Sequence, residues 1–97
     1  MNIRVLKALK EKYQEEGFLI KGVVGSFARG EKFNDIDIVY EIDEKFVERY
    51  GGFGGMIRIE NIKSELEKSL GFKVDLIALS GMSKSAKKYM LRDIKYV

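Results

Sequence analysis

The chain has 97 residues, of which 45% are hydrophobic and 34% charged, enough for one modest core and too apolar for a disordered chain. It has no cysteine and no histidine, which excludes disulfides, thiolate or imidazole metal sites and Ser-His nucleophile pairs. Any metal must therefore be held by oxygen, as Mg²⁺, Mn²⁺ or Ca²⁺ are. The net charge is +3, but residues 81–97 alone carry +4, from Lys84, Lys87, Lys88, Arg92 and Lys95 against Asp93, and the rest sums to −1.

Residues 2–16 read as a helix, with Ile3, Leu6, Leu9 and Tyr13 at helical spacing and Gly17 as the stop. This segment is too charged for a signal peptide, and no apolar run approaches membrane-spanning length, so a cytoplasmic protein without membrane contact is expected. FLIKGVV (18–24) reads as a first strand, and SFARGE after it as a short helical turn. DIDIVYEI (35–42) alternates and reads as a second strand, with Ile36, Ile38, Tyr40 and Ile42 on one face and Asp35, Asp37, Val39 and Glu41 on the other. A short helix is expected over 43–50, followed by a flexible GGFGG connection (51–55) acting as a hinge or mobile lid. It lacks the Lys-Ser/Thr of a phosphate-binding P-loop. Ile59, Ile62, Leu66 and Leu70 predict a helix ending at Gly71, FKVDLIAL (72–79) a third strand, and the remainder a last helix capped by Ser83 or Ser85. The order predicts an α/β or α+β fold, a small mixed sheet flanked by helices, in a single domain over residues 1–97.

Asp35 and Asp37 lie two apart on a strand and so share a face, about 6.6 Å apart along the chain. At that separation two carboxylates repel by roughly 2–3 kcal/mol, which water at an exposed edge or a divalent cation can offset. Gly25-Ser26 ends the first strand and opens the turn, either as an ordinary capped turn or as a cradle of free N–H groups for an anion. If the first two strands pair antiparallel, Gly25, Ser26, Asp35 and Asp37 meet at one corner. Asp75 interrupts the third strand. It is either an exposed edge residue or, beside the second strand, a third carboxylate for two metal ions. Arg29 lies within reach of the same corner, as a phosphate ligand or a plain surface arginine. Tyr89, Met90 and Tyr96 are expected as a core face of the last helix rather than a partner surface.

Val24-Gly25-Ser26, an eight-residue interval, Asp35-Ile36-Asp37 and then Asp75 resemble the DNA polymerase beta-like nucleotidyltransferase superfamily, and GSFARGE resembles its minimal branch. The interval is shorter than is usual there, with Asn34 in place of the common serine. The resemblance implies that Gly25, Ser26 and Arg29 hold the triphosphate, and that Asp35, Asp37 and Asp75 are the catalytic carboxylates binding two Mg²⁺. It implies transfer of AMP from ATP to a protein or small hydroxyl acceptor. It also implies a role as antitoxin to a HEPN-type toxin, catalytic or purely protein-binding. The basic last helix leaves an RNA-binding module as a third reading, but no aromatic platform for nucleic acid is visible, so direct nucleic-acid binding is not expected. Self-association stays open.

Overall fold

Asn2 begins the fold. Its side chain accepts hydrogen bonds from the N–H groups of Arg4 (2.9 Å) and Val5 (3.2 Å), capping α1 (Ile3–Gln14) in the computed structural model, which describes residues 1–97. The chain continues through β1 (Phe18–Val24), β2 (Asp35–Ile42), α2 (Glu44–Leu70), β3 (Lys73–Ala78), α3 (Lys84–Met90) and β4 (Lys95–Tyr96). The four strands form one mixed sheet in the order β3-β2-β1-β4. β1 pairs antiparallel with β2 and β4, and β2 pairs parallel with β3.

The sheet is covered on both faces, unequally. On the thicker face, Leu6 and Tyr13 of α1 and Phe46, Ile62, Leu66 and Leu70 of α2 pack with Phe18, Ile20, Val23, Ile36, Ile38, Tyr40 and Val74. On the thinner face only Val24, Val39 and Leu79 are buried, beneath Met90, Leu91 and Ile94 at the C-terminal end. The β1–β2 register shifts between Ile20 and Gly22, so the inward positions change parity from Phe18 and Ile20 to Val23. Val24 is thereby placed on the thinner face, and the chain leaves the sheet at Gly25 on that side.

Three expectations change. Residues 51–55 are not a flexible connection. Asp43 caps α2, its carboxylate accepting from the Phe46 N–H at 3.3 Å, and the helix runs from Glu44 to Leu70 with one break, at Gly51 (φ 69, ψ −159). Gly52 to Gly55 are helical because the segment packs through Phe46, Gly55 and Ile59 against neighbours, which overrides the low helix propensity of glycine. The last helix is shorter than the periodicity predicts. It is capped by Ser83, ends at Met90, and gives way to a two-residue strand pairing Tyr96 with Gly22 and Lys95 with Val23. Tyr89 and Tyr96 are not core residues: they are 77% and 71% exposed, while Met90 packs inward.

The two long helices are joined by a polar clamp. Arg58 donates to both carboxylate oxygens of Glu16, at 2.7 and 2.6 Å, and to Glu65 at 2.9 Å. The hydroxyl of buried Tyr13 donates to Glu65 (2.8 Å), and that of Tyr50 donates to Glu16. The Arg58 guanidinium holds the Glu16 carboxyl well below its usual range, at about 2.

Candidate active site

The site is built where β1 ends and β2 and β3 lie side by side. In the parallel β2–β3 ladder Asp37 stands opposite Asp75, and Asp35 opposite Lys73. In the antiparallel β1–β2 ladder Val24 stands opposite Asp37, so Gly25 follows at the same corner. Asp37 continues the face of Val39, and Asp75 the face of Ile77, which places both carboxylates on the thinner face of the sheet.

Gly25 has a positive φ of 81°, and a Cβ there would overlap the Oδ2 of Asp37. Both facts require glycine: the turn needs the left-handed conformation, and the carboxylate occupies the space of a side chain. Past Gly25 the chain makes one tight helical turn. The N–H of Arg29 donates to the Gly25 carbonyl (3.1 Å), Gly30 to Phe27 (3.1 Å) and Glu31 to Ser26 (2.9 Å). The N–H groups of Ser26, Phe27 and Ala28 are left without an intramolecular acceptor. These are the orphan donors that open any helical turn, and they are the chemical basis of anion binding at such a position. The interval to β2 is held by aromatic packing: Phe33 lies 5.0 Å from Phe27, edge to face, and 5.0 Å from Phe72.

Asp37 is half-buried, whereas Asp35 and Asp75 are exposed. Burial raises the pKa of Asp37 above the usual carboxylate range, the like charges of Asp75 and Asp35 raise it further, and Arg29 pulls it back. The three acidic groups therefore act on one another electrostatically. They are not gathered closely enough for three of them to hold an ion as a cage of protein ligands. Mg²⁺ is commonly bound by one or two carboxylates and completed by water and substrate phosphates. An all-oxygen donor set with an Asp37–Asp75 pair in register beside free N–H donors fits an ion held in that way. β3 is also an edge strand, so Asp75 is both exposed at an edge and aligned with Asp37.

A cleft of about 280 Å³ opens at this corner, with Gly25, Arg29 and Asp37 on one side and Tyr89, Met90, Arg92 and Asp93 on the other. Arg29 thus lies at the site, tethered to Glu31 through Nε and Nη2, both 3.0 Å from Oε1. The α3 side of the cleft is not among the residues singled out by motif. Its signal in the sequence was the basic charge of residues 81–97, without any indication that this segment folds over the Gly-Ser turn.

A family model described as "Nucleotidyltransferase domain" matches residues 3–97. The chain belongs to this nucleotidyltransferase family. It is 30% identical over 96 residues to the protein adenylyltransferase MntA of Thermococcus cleftensis, a match covering 96% of this chain and 89% of that protein. Its fold is that of a structure described as a minimal nucleotidyltransferase (TM-score 0.70, 24% identity, 100% of this chain and 97% of the other). A crystal structure of a toxin–antitoxin with AMP-PNP shares the fold (TM-score 0.66, 19% identity, 99% of this chain and 72% of the other). The minimal nucleotidyltransferase resemblance and the α+β mixed-sheet architecture are thus both borne out.

Proposed function

We propose that this nucleotidyltransferase domain moves AMP from ATP to a hydroxyl group of a protein or small acceptor, and that it serves as the antitoxin of a HEPN-type toxin. The observation that carries the catalytic reading is the Asp37–Asp75 register beside the Gly25 turn. The kinship with a protein adenylyltransferase, and the shared fold with a toxin–antitoxin structure containing AMP-PNP, support the substrate and the partner.

In this reading the free N–H groups of Ser26, Phe27 and Ala28, with the Ser26 hydroxyl and Arg29, receive the triphosphate oxygens. Asp37 and Asp75, with Asp35 at the exposed mouth, would hold two magnesium ions. Bound there, magnesium supplies charge neutralisation on the phosphates. Asp75 sits on the edge strand, open to an incoming acceptor, and takes the acceptor's proton. A bond forms from the acceptor oxygen to the α-phosphorus. The bond from that phosphorus to the bridging oxygen breaks, and its electron pair leaves with pyrophosphate.

A second reading, an antitoxin that binds its partner without catalysis, has support of its own. Val47, Phe53, Met56 and Ile57 are exposed apolar side chains on α2, between 54% and 86% accessible. Calorimetry with ATP and Mg²⁺, run beside an assay of labelled AMP transfer to the toxin, separates the two. Catalysis requires wild-type binding and transfer, both lost in Asp37→Ala and Asp75→Ala with the fold retained. Unchanged nucleotide affinity in both variants removes the active-site reading, and toxin neutralisation without transfer favours the second.

A further inference from the structure

We propose that Tyr89 and Arg92 form the far wall of the nucleotide site, Tyr89 stacking on the base and Arg92 binding the triphosphate; this rests on the nucleotidyltransferase reading above and assigns the half of the cleft that no motif covers.

Met90, Leu91 and Ile94 seal the thinner face, which fixes the end of α3 over the site. With Met90 turned inward, its neighbour Tyr89 projects about 100° away round the helix. It is left 77% exposed, without a ring or hydrogen-bond partner. An exposed aromatic ring at a polar cleft is a platform for a flat apolar-faced ligand, and a nucleobase is one.

Charge selects the second residue. The cleft carries Asp37 on its sheet side and Asp93 on its α3 side, and Arg29 is already tied to Glu31. Arg92 also lines the cleft and has no carboxylate within ion-pair distance, even though Asp93 follows it. It is the guanidinium of the cleft with no ion-pair partner, a second cation beside Arg29 for a polyanion, and its planar donor fork matches phosphate oxygens.

Size gives an independent indication. The cleft of about 280 Å³ falls just below the usual range for ligand pockets, roughly 300–1,000 Å³. A second hollow of about 540 Å³, lined by Ser85, Lys88, Tyr89 and Arg92, shares two of its walls. Tyr89 and Arg92 are the residues common to both. A triphosphate in the first hollow with its nucleoside reaching across Tyr89 into the second gains the space that the first does not provide alone.

Calorimetry in Mg²⁺ with ATP and with inorganic tripolyphosphate tests this. Arg92→Ala is expected to weaken both ligands about tenfold, the loss of one charge-assisted contact. Tyr89→Ala is expected to weaken ATP about tenfold and leave tripolyphosphate unchanged, with Tyr89→Phe restoring ATP affinity. Lys84→Ala, on the same helix and outside the cleft, should bind as wild type does. All three side chains are exposed, so the variants fold. Wild-type ATP affinity in Tyr89→Ala and Arg92→Ala, with binding lost in Asp37→Ala, overturns the inference and leaves the active site standing. Equal loss of ATP and tripolyphosphate in Tyr89→Ala overturns the stacking role. Full ATP affinity in Asp37→Ala defeats the underlying reading, and this inference with it.

Discussion

Asp37 faces Asp75 directly across the parallel β2–β3 ladder, and neither carboxylate has a basic side chain within ion-pair distance. The ladder itself fixes this proximity, because moving either aspartate means breaking strand pairing that also aligns Ile36 with Val74 and Ile38 with Leu76 in the core. The fold holds like charges together at a cost, as sites that bind cations or phosphoryl groups commonly do.

That cost is measurable as a pH dependence. Burial and its acidic neighbours raise the pKa of Asp37 in the folded state, so the folded chain binds the proton more tightly than the unfolded chain. The stability linked to this group is fully present below the unfolded pKa of about 3.9 and is lost as pH rises through the folded value. With magnesium chelated, Asp37→Asn is expected to melt a few degrees above wild type at pH 7, and the gap should close towards pH 4. With ATP and Mg²⁺ the order should reverse, because only the wild type gains stability from ligand binding. Thermal melts across pH, with and without ligand, check both halves.

Gly25→Ala is expected to damage site and fold together. The substitution meets a positive φ and drives a methyl group into the Asp37 carboxylate, so it should cost about 1 kcal/mol or more. Displacing Asp37 and the turn should also abolish ATP binding. Denaturant melts and calorimetry on the same preparation give the two readouts, and wild-type values in both would contradict the close approach of Gly25 to Asp37.

The sequence discloses this corner well for a physical reason. Alternation in DIDIVYEI fixes which side chains share a face, and an apolar strand interrupted by Asp75 has few places to put a carboxylate. The antiparallel return from β1 to β2 brings Gly25 beside Asp37 by topology alone. Other features depend on distant contacts and leave no local trace. Propensity reads Gly52 to Gly55 as a linker, yet packing through Gly55 and Ile59 makes them helical. Tyr89 has helical spacing with core residues but points to water, because α3 lies on the sheet through Met90. The strand at Lys95–Tyr96 is two residues long and exists only because the β1 edge accepts it.

Arg58→Met is expected to be the most destabilising change outside the core. Glu16 is largely shielded from water and keeps its charge through the two bonds from Arg58. Removing the partner leaves that carboxylate uncompensated, at a cost of about 3 kcal/mol. The acid limb should move as well. In the wild type the contribution of Glu16 is present above its unfolded pKa and is lost as pH falls towards about 2. In the variant the acid unfolding midpoint should rise, and urea melts between pH 2 and 7 measure both effects. An unchanged midpoint would show that the clamp does not set the acid stability.

The glycine segment offers the sharpest contrast, because two neighbouring residues are expected to respond in opposite directions. Gly51 adopts φ 69 and ψ −159, a region closed to other residues, and nothing lies within 4 Å of a Cβ built there. Any effect of Gly51→Ala is therefore one of backbone strain, about 1–3 kcal/mol of destabilisation, since no steric clash is available to cause it. Gly52 is helical and equally open, so Gly52→Ala should stabilise by roughly 0.4–1 kcal/mol by restricting the unfolded chain. A flexible linker over residues 51–55 makes a different prediction, near-neutral effects at both positions. Paired denaturant melts decide between them, and equal midpoints for the two variants would mean that α2 does not pass through this segment as a kinked helix.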